Sequence, residues 1–307
     1  MKRDVEFKSK GVTCRGWLIT PDEGSGPFPV VIMAGGWCYV KEIVMPHYAK
    51  KFAENGMAAL LFDYRCLGES DGTPRQHISF YDQVEDYKNA ITFAENQPEL
   101  DPQRIGIWGI SYSGGHVLIV GATDPRVKCI VSTIPVVDGY ENMKQVHGSI
   151  RFRDLCETIM EDRRKRFKEP ESHGHLAMAA PDPQKTLSTW PFPETYNNFM
   201  TIKEKEAPNH EHYSTIESTE LLMSYTVFPY VKRIADIPTL MLVAEKDDIT
   251  LWEKEIDAFN QISTIEKKLY IIRDTSHMKL YSDMSALEVA AKVATDWLAK
   301  HLVDPFT

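Results

Sequence analysis

The feature that most constrains the fold is an apolar run that ends among small residues at positions 104–115, Arg-Ile-Gly-Ile-Trp-Gly-Ile-Ser-Tyr-Ser-Gly-Gly. The run has β character and closes at Gly109, and Ser111 follows two residues later. This pattern predicts a strand that turns sharply into a helix and holds the serine in a strained conformation. The neighbours of such a serine must be small, and the first turn of the helix offers a free N–H to a developing oxyanion. The segment therefore predicts Ser111 as the nucleophile of an acyl-transfer reaction.

The motif departs from the G-x-S-x-G pattern, because Ser113 stands where the last glycine is expected. A frame shifted to Ser113 also has small residues on both sides, so Ser113 is an alternative nucleophile. Gly109 closes the apolar run, and Gly114 and Gly115 would allow the helix to pack closely on the strand, which favours Ser111. A glycine- and serine-rich turn without chemistry is a further alternative for this segment taken alone.

The composition is that of an ordinary globular chain and argues against several function classes. The 307 residues, 43% of them hydrophobic, suffice for one large α/β domain with an insertion. A net charge of −9 argues against a nucleic-acid-binding surface. No run approaches the roughly 18 apolar residues of a membrane span, and the charged N-terminus lacks the apolar core of a signal peptide. We therefore expect no nucleic-acid partner and no membrane association.

The five cysteines are scattered and include no C-x-x-C pair. This usage is typical of reduced thiols, so we expect a cytoplasmic protein. The sequence leaves the oligomeric state open, with a homodimer among the alternatives.

Strand and helix patterns alternate along most of the chain. Short apolar strands that alternate with helices predict an α/β fold, with a mostly parallel sheet covered by helices on both faces. The predicted strands are 5–8, 12–20, 29–34, 57–63, 104–109, 127–134, 238–244 and 267–273, and the predicted helices are 42–55, 79–96, 112–122, 252–261 and 283–301.

The alternation stops between residues 135 and 235, where clear buried strands are absent from the pattern. A structureless loop of this length is uncommon inside a compact domain. We predict a large, mainly helical lid over the carboxyl ends of the strands, where open α/β sheets bind their ligands. The chain is thereby divided into a first core part, 1–134, a lid, 135–235, and a second core part, 236–307.

Further polar residues follow two of the predicted strands near the C-terminus. Asp247 and Asp248 come after one strand, and His277 comes after the next. The order serine, aspartate, histidine, each after a separate strand, predicts a catalytic triad. In it, His277 would take the proton of Ser111 while Asp247 orients the imidazole. Asp248 and Asp138 are alternative carboxylates.

An oxyanion needs two N–H donors. Tyr112, directly after the serine, is predicted to supply one, and Trp37, in the loop after strand 29–34, the other. Glycine in that loop lets the backbone approach the substrate closely. The predicted substrate contacts, from this loop and from the lid, are Gly36, Cys38, Trp190 and Tyr225.

Two His-x-His pairs lie in the predicted lid, His173 with His175 and His210 with His212. Neither pair has the H-E-x-x-H spacing or a cysteine partner, so polar loops explain them better than metal binding. We predict no metal site.

Taken together, the motifs resemble the α/β-hydrolases, within the dienelactone-hydrolase-like branch that includes esterases, thioesterases and enzymes associated with polyketide pathways. The resemblance rests on the segments 40–42, 63–70 and 109–115, and it covers about 1–134 and 236–307. It implies an α/β-hydrolase fold and a serine hydrolase that cleaves a carboxylic ester or thioester of a small-molecule acyl substrate through an acyl-enzyme. It implies no cofactor.

Two positions depart from that family. Gly35 and Gly36 stand where His-Gly is often found, and Cys66 stands where glycine is common. Neither departure removes a catalytic group. An acyltransferase or a C–C bond hydrolase on the same triad is an alternative, and so is a ligand-binding protein that uses the fold without turnover.

Overall fold

The computed structural model describes residues 1–303. The strands are β1 (Lys2–Ser9), β2 (Val12–Ile19), β3 (Phe28–Ala34), β4 (Ala58–Phe62), β5 (Leu100–Ile110), β6 (Val127–Thr133), β7 (His175–Ala177), β8 (Tyr213–Thr215), β9 (Thr239–Ala244) and β10 (Lys267–Ile272). Eight of them form one sheet in the order β1-β2-β4-β3-β5-β6-β9-β10. Its first two pairings, β1 with β2 and β2 with β4, are antiparallel, and the rest are parallel. The predicted mostly parallel sheet is confirmed.

Helices lie on both faces of this sheet, as predicted. The helices are α1 (Met45–Glu54), α2 (Phe80–Glu95), α3 (Tyr112–Thr123), α4 (Gly139–Lys168), α5 (Pro193–Lys205), α6 (Ile216–Leu222), α7 (Phe228–Val231), α8 (Trp252–Gln261), α9 (Lys279–Ser282) and α10 (Met284–Leu302). Helices α1 and α10 pack against each other, and α2 packs against α3. Within residues 1–303, no helix combines the length and the apolar character that a membrane crossing requires.

The central strands are apolar because both of their faces are covered. Every residue of β4 and every residue of β9 is buried, whereas the edge strand β10 is largely half-exposed or exposed. Since β3, β5, β9 and β10 run parallel, their carboxyl ends meet at one edge of the sheet. The loops that carry the candidate site residues all leave the sheet at that edge.

The insertion, defined here as residues 134–238, joins β6 to β9 and contains α4 to α7 together with the short antiparallel pair β7 and β8. It is mainly helical, as predicted. The three-residue strands β7 and β8 were not predicted, because strands this short have no readable alternation. The insertion is hydrogen-bonded to the core loop before α2, where Thr215 N–H donates to Gln76 C=O (3.0 Å) and Ile78 N–H to Ser218 Oγ (2.8 Å).

Candidate active site

Ser111 lies at the turn between β5 and α3. Its φ of 58° and ψ of −117° form a conformation that is strained for a residue with a Cβ. Hydrogen bonds on both sides maintain it, since Ser111 N–H donates to Thr133 C=O (2.9 Å) and Ser111 C=O accepts from Val136 N–H (3.0 Å). The predicted sharp turn is therefore present, with the serine held in the predicted strained conformation.

Two glycines, one in this turn and one in the loop after β3, are required by packing around Ser111. A Cβ at Gly109 would collide with the backbone of Ser113. A Cβ at Gly36 would lie 2.9 Å from Ser111 Cβ and 3.2 Å from Ser111 Oγ, too close for any larger residue to fit without displacing the serine. Gly36 therefore lies directly against the candidate nucleophile, as expected of a residue that borders the substrate.

The alternative nucleophile Ser113 faces the protein interior. Its side chain is fully buried, and its Oγ is hydrogen-bonded to the hydroxyl of Tyr64 (2.6 Å) and donates to Gly35 C=O. Both hydrogen bonds join Ser113 to the core rather than to a cavity. The structure thus gives Ser113 a packing role.

His277 and Asp247 form a buried pair. His277 Nδ1 lies 2.7 Å from Asp247 Oδ2, while Asp247 Oδ1 accepts the N–H groups of Ile249 and Thr250, both at 2.9 Å. Burial acts to raise the pKa of Asp247, but the attraction of His277 and the hydrogen bonds to the carboxylate outweigh it and lower that pKa. The ionised carboxylate places the imidazole proton on Nδ1 and leaves Nε2 as the basic nitrogen.

The alternative carboxylates lie elsewhere. Asp248 is exposed, and Asp138 caps α4 by accepting the N–H of Glu141 (3.1 Å). In the described chain, His277 bonds to Asp247 and not to either of these two residues.

Ser111 and His277 line the same cavity. Its free volume of about 20 Å³ is enough for a single water. The other lining side chains are mostly apolar or aromatic and come from both the core and the insertion: Trp37, Tyr39, Met178, Trp190, Thr195, Phe199, Ile249, Met278 and Tyr281. This volume is too small for an acyl group.

The expected hydrogen bond between Ser111 and His277 is not formed in this structure. Within residues 1–303 the hydrogen bonds of His277 are made by Nδ1, so Nε2 is not bonded to Ser111. The ring of Tyr281 stacks on the imidazole of His277, with centroids 5.7 Å apart, and Tyr281 lines the same cavity as Ser111. Burial raises the pKa of Tyr281, so the phenol is neutral beside the serine.

Tyr281 was missed in the sequence. It lies four residues after His277, but His277 precedes the helix, so the helical i, i+4 spacing does not relate the two side chains. The helix that carries it, α9, has only four residues and no readable periodicity.

The two predicted oxyanion donors come from the residue after Ser111 and from the loop whose Gly36 packs against Ser111. Tyr112 N–H is in the first turn of α3, where no intrahelical acceptor is available. Trp37 N–H makes no hydrogen bond to another backbone group of the described residues. The Trp37 ring packs against the rings of Tyr112 (5.2 Å) and Trp190 (6.4 Å). The two N–H groups are thus unengaged next to the candidate nucleophile.

The oxyanion loop, defined here as residues 35–41, is held to the core by Lys41. The Lys41 side chain is fully buried, and its Nζ lies 2.9 Å from Asp63 Oδ2 and 2.6 Å from Glu69 Oε2. Lys41 N–H also donates to Asp63 Oδ1 (2.6 Å). Burial acts to lower the pKa of Lys41, but the attraction of the carboxylates outweighs it and raises that pKa. The end of the loop is therefore held at both backbone and side chain.

Of the four predicted substrate contacts, Trp190 lines the cavity and Gly36 lies against Ser111, whereas Cys38 and Tyr225 contact neither. Cys38 has a φ of 56°, and its Sγ donates to Tyr213 C=O in the insertion (3.3 Å). The hydroxyl of Tyr225 is hydrogen-bonded to His116 Nδ1 (3.1 Å). Both side chains make structural contacts outside the lining of the cavity.

Comparison with known proteins places the chain in a family. The family model described as X-Pro dipeptidyl-peptidase (S15 family) matches residues 10–279. The chain is 30% identical to thiohydrolase aneE of Aspergillus aculeatus, over 89% of this chain and 86% of that protein. It is 26% identical to polyketide transferase grgF of Penicillium sp, over 98% and 97%.

A solved structure has the same fold. The structure of DcsB in complex with its substrate analogue superposes with a TM-score of 0.84 at 24% identity, and covers 99% of this chain and 100% of that one. The predicted superfamily is confirmed by these findings together, and the protein is a hydrolase. The chain belongs to the family described as X-Pro dipeptidyl-peptidase (S15 family), among the α/β-hydrolases.

Proposed function

We propose that the protein is a serine hydrolase that cleaves a carboxylic ester or thioester, with Ser111, His277 and Asp247 as its catalytic triad. The observation that carries the proposal is that Ser111 and His277 line one cavity while Asp247 lies 2.7 Å behind the imidazole. The relative named thiohydrolase supports a thioester among the substrates.

The reaction follows from the roles of these side chains. Ser111 Oγ attacks the acyl carbon while His277 Nε2 takes its proton, and the N–H groups of Tyr112 and Trp37 hold the oxyanion. His277 then gives that proton to the departing alcohol or thiol, which leaves an acyl-serine. Water, deprotonated by His277, attacks the acyl-serine and releases the acid, and the proton returns to Ser111. Asp247 stabilises the imidazolium in both halves of the reaction.

The cavity must open before this sequence begins. We propose that the insertion acts as a lid, because Met178, Trp190 and Phe199 from the insertion form part of the wall around Ser111. In the same movement Tyr281 would leave the serine, so that the hydrogen bond between Ser111 and His277 can form. Catalytic hydrogen bonds are often long in the absence of substrate and shorten in the complex.

The lining of the cavity favours an uncharged acyl group over a dipeptide. An enzyme that releases dipeptides must hold a free α-ammonium, which calls for a carboxylate at the site. Among the described residues that line the cavity there is no aspartate or glutamate. The carboxylate of Asp247, which lies behind this lining, is already hydrogen-bonded to His277.

Transfer of the acyl group to an alcohol or amine is a second candidate. It is favoured by the enclosure of the site, since Ser111 is only 8% exposed and the cavity has room for one water. A site that excludes water protects an acyl-enzyme from hydrolysis until an acceptor arrives. The relative named polyketide transferase supports this candidate as well.

We also propose a cytoplasmic location. In the described chain all five cysteines are free thiols, as expected in a reducing compartment.

A panel of acyl esters and acyl thioesters of graded chain length tests the proposal. The wild type should release free acid from some of them, and S111A should lose about 10³- to 10⁶-fold in kcat. Addition of alcohol and amine acceptors, with the products identified by mass spectrometry, distinguishes transfer from hydrolysis. A dipeptide Xaa-Pro anilide serves as the comparison substrate and should be poorly cleaved. Retention of most turnover by a folded S111A protein would overturn the assignment.

A further inference from the structure

The second histidine pair of the insertion is hydrogen-bonded to the oxyanion loop. Ala179 N–H lies 3.3 Å from His212 Nε2, His212 Nδ1 lies 3.1 Å from His210 Nε2, and His210 Nδ1 lies 2.9 Å from Cys38 C=O. The three contacts form one continuous path of hydrogen bonds. It runs from Ala179, shortly after β7 in the insertion, to Cys38 in the middle of the oxyanion loop.

The direction of every hydrogen bond in this path is fixed by chemistry. Cys38 C=O can only accept, so His210 Nδ1 carries a proton. The amide of Ala179 can only donate, so His212 Nε2 is unprotonated and its proton is on Nδ1. His210 Nε2 then accepts from His212 Nδ1. All three bonds are satisfied only when both imidazoles are neutral and protonated on Nδ1.

The surroundings of the pair keep both rings neutral. Burial lowers the pKa of His210 to about 3 and that of His212 to about 4. From α5, the ammonium of Lys203 opposes a positive charge on either ring, and Phe199 packs against both rings, at 5.1 and 6.1 Å.

The remaining groups near the pair do not offer it a negative charge. Tyr196, also on α5, packs against His212 (5.4 Å), and the carboxylate of Glu211 pairs with Lys203 (3.7 Å). From the oxyanion loop, the buried thiol of Cys38 has a raised pKa. Each hydrogen bond of the path therefore keeps the same donor and acceptor at neutral pH.

A second contact reaches the same residue of the loop. Cys38 Sγ donates to Tyr213 C=O (3.3 Å), so the insertion holds Cys38 at its carbonyl and at its side chain. Cys38 has a φ of 56°, which is strained for a residue with a Cβ and needs support from its surroundings. Cys38 directly follows Trp37, the proposed oxyanion donor, so contacts that fix the backbone at Cys38 restrict the conformations open to Trp37.

We propose that His210 and His212 are positioning residues that hold the oxyanion loop in the conformation in which Trp37 N–H faces the reacting carbonyl. The proposal rests on the proposed function of Ser111. Because the pair belongs to the insertion and its acceptor to the core, the oxyanion site is complete only when the insertion is closed over the cavity. Closure of the insertion then excludes water and assembles the oxyanion site in one step.

Two substitutions of His210 separate positioning from bulk packing. H210A removes the donor to Cys38 C=O and should lower kcat about 10- to 100-fold, since a lost oxyanion donor costs about 10²- to 10³-fold and a misaimed one costs less. H210N places an amide N–H close to the position of imidazole Nδ1 and should recover most of that loss. KM should change little in either variant, because the oxyanion contact forms in the transition state.

The matched control is H175N, in the other histidine pair of the insertion. His175 is exposed, and none of the side-chain hydrogen bonds of the described residues uses its ring, so kcat should stay within about twofold of the wild type. A second readout is inhibition by an alkyl trifluoromethyl ketone, whose adduct with Ser111 places an oxyanion in the hole. The inhibition constant should rise in H210A by the same factor as kcat falls, and not in H175N.

The outcomes are distinct. A folded H210A protein with wild-type kcat and wild-type inhibition would overturn the proposal, and so would equal losses in folded H210A and H210N. If H210A does not fold, H212A takes its place with an expected kcat loss of about 3- to 10-fold, and an unchanged kcat there would overturn the proposal too. S111A, assayed on the same ester, distinguishes failure of the proposed function from failure of this inference. Turnover by S111A would refute the proposed function. Loss of turnover in S111A, with no effect of the histidine substitutions, would refute only this inference.

Discussion

The core and the insertion contribute different things to the site. The core carries the proposed catalytic groups, since Ser111, Asp247 and His277 each follow a parallel strand at one edge of the sheet. The insertion supplies Trp190 and other wall residues, and it bonds to the oxyanion loop through His210. Under the proposed function, the core therefore sets the reaction type, and the insertion sets access, acyl preference and the final alignment of the loop.

The oxyanion loop is where the two regions meet. From the core, Asp63 holds Lys41 at the end of the loop. From the insertion, His210 and Tyr213 hold Cys38 in its middle. The comparison predicts that core substitutions abolish chemistry or folding, and that insertion substitutions change rate or selectivity by smaller factors.

The largest effect is expected from D247N in the core. Asparagine cannot hold the imidazole proton on Nδ1 as a carboxylate does, and we expect kcat to fall about 10⁴-fold with little change in stability. The measurement is steady-state hydrolysis of the best ester of the panel. D248N, at the exposed neighbour, is the matched control and should keep kcat within about twofold. Equal activities of D247N and D248N would contradict the triad.

The next effect is on stability, also in the core. K41M leaves the fully buried carboxylate of Asp63 without its cation, which should lower the free energy of unfolding by about 3–5 kcal/mol. Urea denaturation followed by circular dichroism measures it. K41M/D63N removes the charge at both positions and should recover part of the loss. A K41M protein as stable as the wild type would show that this pair does not hold the loop.

A smaller and different effect is expected from W190A in the insertion. The substitution enlarges the cavity without touching the triad, so it should change the preference between long and short acyl chains by about 10-fold in kcat/KM. The acyl ester panel measures it, with the Trp190 variant and the wild type side by side. A uniform loss over all chain lengths would mean that Trp190 supports the site without shaping the acyl pocket.

The smallest effect concerns acid stability. His212 has a pKa lowered from its ordinary 6.5 to about 4 in the fold. Between these values the unfolded chain binds more protons than the folded one, so stability is present above pH 6.5 and is lost as the pH falls towards 4. H212N should lose stability less steeply over this range, as read from the thermal midpoint, whereas H175N should follow the wild type. If the thermal midpoints of H212N and the wild type fell in parallel as the pH is lowered, His212 would not be held neutral by the fold.

The sequence was most informative where local pattern and position agree. Buried parallel strands read as short apolar runs, and their carboxyl ends share one edge of the sheet, which is why Ser111, Asp247 and His277 could be brought together without coordinates. The strands and helices of the core lie within a few residues of the predicted bounds, apart from α9.

The rest depends on contacts that no local pattern records. His210 and Cys38 are separated by 172 residues in the chain. Nothing in the local sequence around either residue therefore indicates that they are hydrogen-bonded. Cys38, a predicted substrate contact, has a positive φ and a side chain that bonds to the insertion, neither of which the sequence predicted. Tyr281 was missed because its helix has a single turn.

Whether Ser111 is the nucleophile can be read from the mass of the protein after reaction with a fluorophosphonate, with the modified peptide then identified. We expect one added phosphonyl group on the peptide that contains Ser111, located at Ser111 by fragmentation, and no addition to S111A. Modification at Ser113 instead, or turnover of esters by a protein that remains unmodified, would contradict it.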